Sequence, residues 1–167
     1  MAYPQTSVDL ALAVAFDGMD GAGPHATDPY VNEEATAEIP FGTFVAQGVA
    51  VDAALKLAAT TDTVLGVVMH SHKYAVPDQL GTTGIKPNVA MNVRSQGRAW
   101  VPVEDAVTPS TAVHVRAVST GNEVAGACRG TADGADTIEI TGWAKWLTST
   151  TGAGRALLEF DARNRSA

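Results

Sequence analysis

From residue 39 to residue 160 the chain is written in short apolar runs, each closed within a few residues by glycine, proline or an Asn/Asp turn. Runs of that length fill one face of a strand but stop short of a stable helix, so the pattern selects a β architecture. Phe41-Gly42-Thr43-Phe44-Val45 opens the series, and Val64-Leu65-Gly66-Val67-Val68-Met69 has the length of a buried strand. Val89, Met91 and Val93 alternate with Ala90, Asn92 and Arg94. Ser95-Gln96-Gly97 then reads as a turn, with Gly97 free to take positive φ, and Ala99, Val101 and Val103 return on one face with Trp100 on the other. This is the clearest hairpin in the sequence. Pro102 has no N–H, so its strand is expected at an edge or with a bulge.

Further strands are expected at 112–118 (Val113, Val115, Ala117), 137–141 (Ile138, Ile140), 143–148 and 155–160 (Ala156, Leu158, Phe160). Turns at Pro109-Ser110, Gly121-Asn122, Asp133-Gly134 and Gly152-Ala153-Gly154 separate them. Strands at intervals of roughly 10–14 residues describe a mainly β fold, a small antiparallel sandwich or barrel-like domain. The alanine-rich stretch 52–59 is expected as one short helix.

Residues 1–38 read as an irregular, extended arm and linker. Ser7–Phe16 fits a short helix capped by Ser7 and equally an alternating strand. Gly18, Gly21, Gly23, Pro24 and Pro29 then break regular structure. The expected organisation is an acidic N-terminal arm over 1–38, a β domain over 39–160 and a polar tail over 161–167.

Charge follows the same division. Residues 1–55 hold eight acids and no Lys or Arg, whereas the rest of the chain is close to neutral and the whole carries −7. That balance excludes the clustered bases of a nucleic-acid partner. No run of 18 apolar residues is present, so no membrane span is expected. Met1–Gln5 lacks a basic n-region, so no secretory signal is expected. Cys128 is the single cysteine, which rules out an intrachain disulfide. Charged residues make up 17% of the chain, so Thr, Ser, Gly and Ala must cover much of the surface, and such a surface suits packing against other protein.

Candidate chemistry is sparse. His70 and His72 fall on one side of an extended strand, a spacing that serves a metal if His25, His114 or Asp78 adds a third ligand; the plainer reading is a pair of strand-end histidines in hydrogen bonds. No nucleophile elbow or phosphate loop is present. Cys128 beside Arg129 reads first as a small core thiol, and Asp133-Gly134-Ala135-Asp136 as an Asp-Gly turn rather than a calcium loop. Trp100, Trp143 and Trp146 are core or interface anchors, or a stacking surface for sugar. No catalytic residue, metal or cofactor is expected.

Val31-Asn32-Glu33-Glu34-Ala35-Thr36-Ala37-Glu38-Ile39-Pro40-Phe41-Gly42 resembles a segment of tailed-phage capsid cement (decoration) proteins. So do Leu65–His72 with Gln79–Pro87, and Asn92–Val101. The resemblance implies a non-enzymatic, mainly β virion protein, made in the host cytoplasm, that sits on the outer capsid surface and clamps neighbouring major capsid protein subunits. It implies self-association as a dimer or trimer. Tyr3, Pro4, Phe16, Tyr30, Glu33, Glu34 and Trp100 are the candidate capsid or subunit contacts. A carbohydrate-binding β module and a small β-barrel metalloenzyme using His70 and His72 are the alternatives.

Overall fold

A computed structural model describes residues 15–70 and 79–164, and within them the regular elements are all β-strands apart from one 3-10 turn at Ala162–Asn164. The strands are β1 (Ala26–Asn32), β2 (Phe44–Gln47), β3 (Ala53–Lys56), β4 (Val64–Met69), β5 (Ala90–Val103), β6 (His114–Arg116), β7 (Cys128–Arg129), β8 (Thr137–Glu139), β9 (Ala144–Trp146) and β10 (Gly154–Asp161). Five of them close on themselves in the order β1-β3-β2-β4-β5, with β5 returning to pair antiparallel with β1. The ring removes the open edges that a flat sheet of these short strands would leave. Tyr30, Val45, Ala54, Val68, Met91 and Val93, drawn from all five strands, fill it together with Ile39 and Ile85.

A larger core lies on the outer face of β2 and β4, under a second layer made by the far half of β5 with β6–β10. Phe44 is its hinge: its ring stands edge-on to Phe160 at 5.5 Å and to Trp143 at 6.2 Å, and its N–H donates to Gly126 O at 2.9 Å. Trp146 is buried here with its indole N–H donating to Ala112 O at 3.1 Å, as a buried Trp requires.

The expected hairpin at 95–97 is instead a single 14-residue strand that belongs to both layers. Odd-numbered residues are apolar on both sides of Ser95, so the alternation never changes phase. The pairing with β1 slips by one residue there, with Ala26 opposite Gln96 and Thr27 opposite Arg94. That bulge swaps faces: Met91 and Val93 point into the ring, while Ala99, Val101 and Val103 join the outer core. Gly97 takes φ +131 beside the bulge. Gly66 on β4 leaves room for the Arg94 carbonyl, which sits where its Cβ would be.

The helix expected at 52–59 is replaced by β3. An eight-residue helix is marginal in isolation, and here the same alanines bond into the ring between β1 and β2. Part of the stretch read as irregular is also strand, since β1 lies within it. Pro29 is tolerated inside β1 because Val31, two residues on, aims its N–H at Asp52 O on the β3 side, beyond the start of β3. Pro102 follows the same rule: Trp100 N donates to Met19 O, so this register points away from β10 and the missing donor falls past the end of that bridge. The strands expected near 64–69, 112–118, 137–141, 143–148 and 155–160 are present as β4, β6, β8, β9 and β10. Of Ser7–Phe16, which fits a short helix and equally a strand, residues 7–14 lie outside the described residues.

Candidate interaction surface

Where the second layer meets the ring, an arginine is buried. Arg116 closes β6 with its side chain 1% exposed, a position in which an unpaired cation would be strongly disfavoured. Three carboxylates converge on it. Its Nε donates to both oxygens of Glu104 at 2.8 and 3.0 Å, Nη2 reaches Asp133 at 2.9 Å, and Nη1 pairs with Glu123 at 3.0 Å. Arg129 on β7 adds contacts of 2.8 Å to Asp133 and 3.3 Å to Glu104. The Glu104 bonds raise the Arg116 pKa, and the Arg116 bond holds the Asp133 carboxyl below its usual range. Glu123 is lowered first by the Thr120 N–H it accepts.

This network floors one side of a groove of about 780 Å³ whose other walls include Phe41, Thr43, Pro102 and Val124. A recess of about 310 Å³ shares Asp17, Pro40, Phe41 and Thr83 with it and runs on to Phe16, His70 and Arg155. Phe16 is 46% exposed, and its ring stands edge-on to His70 at 4.8 Å, with Phe41 at 4.8 Å from the same imidazole. Arg155 Nε donates to Asp17 at 2.7 Å across the recess. Glu38 fixes the Thr83 wall: its carboxylate accepts Thr83 N–H and Oγ1 at 2.7 Å each and the Thr82 and Gly84 N–H groups at 3.2 Å. Those bonds, Thr83 first, hold its carboxyl low. The result is an apolar strip edged by locked charges, a surface suited to taking side chains of another protein.

Of the candidate contacts, Phe16 lines this surface. Tyr30 packs on the ring core, and Trp100 is half-buried opposite Leu157 on β10. Glu33 and Glu34 clasp the chain itself, accepting the N–H groups of Val49 at 2.6 Å and Lys56 at 2.9 Å. Tyr3 and Pro4 lie outside the described residues, as do His72 and Asp78. Among the described residues no three His, Cys, Asp or Glu side chains come together in a way that holds a metal ion. His25 Nδ1 lies 3.2 Å from Gly23 O, and His114 is buried on β6. The Cys128 thiol is buried and its pKa is pushed well up by desolvation, the opposite of a reactive cysteine. Asp133-Gly134 is a turn with Gly134 at φ +51, its carboxylate taken by the two arginines. The sequence singles out neither Glu104 nor Arg116, and it marks Phe41 only as a strand opener and Arg129 only as the neighbour of Cys128. An arginine in a three-residue strand carries no mark of whether it faces water.

No curated protein sequence matches this chain. A chain in the solved capsid of Myoviridae phage XM1 shares its fold, at 19% identity and a TM-score of 0.67, covering 96% of this chain and 98% of that one. The family model described as structural cement protein (E217 gp24/Pam3 gp6) matches residues 3–161. That span takes in both cores and the groove between them, and the chain belongs to the phage structural cement protein family, with a structural role in the capsid.

Proposed function

We propose that the chain binds the outer surface of an assembled icosahedral shell and holds neighbouring major capsid protein subunits together. The family match over residues 3–161 is the observation that carries this reading. The architecture supports it. A closed ring is joined to a second layer, and the groove beside Phe41 and Val124 gives one apolar purchase. Copies associate with one another as dimers or trimers. Many modest contacts repeated over a shell add through multivalency, so each need not be strong. The excess acid of the N-terminal third suits a place outside the shell, away from packaged DNA.

The test adds the purified full chain to shells lacking it and follows heat-induced rupture and co-sedimentation. Saturable binding with a higher rupture temperature is expected, and removal of residues 2–14 is expected to reduce that gain. Shells that neither bind the chain nor gain stability refute the clamp.

A further inference from the structure

The turn that joins β2 to β3 carries the two most exposed large aliphatic side chains among the described residues, Val49 at 93% and Val51 at 90%. Turn tips are ordinarily made of Gly, Asn, Asp, Ser and Pro, whose side chains satisfy the local backbone. This tip holds its shape by other means. Gln47 turns its amide inward, and Nε2 donates to Ala50 O at 2.8 Å and Ala53 O at 3.1 Å. Glu33 reaches over from the end of β1 to accept the Val49 N–H at 2.6 Å. A Cβ at Gly48 would push aside the Glu33 carboxylate that makes this bond. Gly48 N–H to Ala53 O, 2.9 Å, closes the base. Two β-branched side chains, each stiff at χ1, therefore stand in water on a backbone fixed by side chains beneath them. A contact so preorganised loses little entropy when it is covered.

We propose that the Gly48–Asp52 tip is an apolar prong that inserts into a shallow apolar recess with a basic rim on the major capsid protein; this rests on the capsid-binding role above. The charge around the prong selects the rim. Glu33 holds the Val49 N–H and Asp52 lies within the tip itself, and both come from the stretch that holds eight acids and no base. A second copy, itself at −7, is the poorer socket. The two valines bury only about 200 Å² together, well short of the roughly 800 Å² per partner of a stable pair, so the prong makes sense as one contact among many on a lattice. An anionic lipid surface is disfavoured, because the tip offers acids where such a surface attracts Lys and Arg.

The test uses the full chain and shells assembled from the major capsid protein alone. Val49→Ser with Val51→Ser is expected to bind about a hundredfold more weakly, about tenfold for each valine, with the melting temperature unchanged. The isosteric pair Val49→Thr and Val51→Thr keeps the turn's shape and is expected to lose binding to a smaller degree. Gln47→Ala, with both valines present, is expected to weaken binding by loosening the tip. Equal binding by the wild type and the serine variant overturns the prong while leaving the capsid role standing. A wild type that does not bind shells overturns the capsid role, and the prong with it. Binding lost instead between free copies, read as a change in sedimentation coefficient, or from phosphatidylglycerol vesicles, overturns it in favour of those partners.

Discussion

Asn32→Asp changes one atom at the seam between the ring and the loops that wall the groove. Asn32 is fully buried at the end of β1. Its Nδ2 donates to Ile85 O at 2.9 Å and to Ala37 O at 3.2 Å, and its Oδ1 accepts the Glu34 N–H at 3.0 Å. The substitution keeps the shape and replaces the donor by an oxygen facing two carbonyls. Ionised, the new carboxyl would be a buried charge without a cation, and the chain escapes that state by protonating it. Protonating a carboxyl of ordinary pKa near 3.9 at pH 7 costs about 4 kcal/mol, which caps the charge penalty. The protonated group donates once, so one of the two amide bonds remains lost, about 1 kcal/mol. The deficit against wild type is therefore about 3–5 kcal/mol at pH 7 and about 1 kcal/mol at pH 4. The folded pKa of the new group is raised, so the stability it allows is complete below the unfolded value and is lost as pH rises toward the folded one. Urea unfolding followed by tryptophan fluorescence at the two pH values measures it. At roughly 2–4 °C per kcal/mol, the melting temperature falls by about 6–20 °C at pH 7. A deficit that is the same at pH 4 and pH 7, or below about 1 kcal/mol at pH 7, refutes the assignment of the amide as a double donor.

Two further outcomes follow from the same geometry. The carboxyls of Asp20, Glu38, Glu123, Asp133 and Glu159 are all held low by hydrogen bonds, so the stability they contribute is present above the ordinary carboxylate range and is lost as pH falls below about 4; Asp133→Asn is expected to flatten that acid limb, and an unchanged limb in pH-dependent melting would count against the arginine network. Ala22 sits at φ +60, where a Cβ costs about 1–2 kcal/mol, so Ala22→Gly is expected to stabilise the chain by about 0.5–1 kcal/mol in calorimetry once glycine's unfolded-state entropy is subtracted; a loss of stability would show that this turn is not strained.

The presence of strands was legible because short apolar runs and period-two alternation are local properties, readable from residues a few positions apart. β4, β6, β8, β9 and β10 were visible in Val67, Val115, Ile138, Trp146 and Leu158. Partner choice was not. Ser95-Gln96-Gly97 has the composition of a turn, and only pairing with β1 on one side and β10 on the other makes it the bulged middle of one long strand. The alanines at 53–54 favour helix until β1 and β2 offer their hydrogen bonds. Candidate contacts fared likewise: Glu33 looks like a solvated acid, and its task of holding Val49 depends on a residue 16 positions away.

What the sequence determined alone was a mainly β chain with a lopsided charge and no assembled catalytic motif, since composition and alternation need no partner to be read. What the tertiary structure decided was the closure of the ring, the transfer of β5 from one core to the other and the burial of Arg116 among three carboxylates. Each of those joins segments far apart in the chain, and hydrogen-bond register between distant strands is settled by which arrangement fills both cores at once.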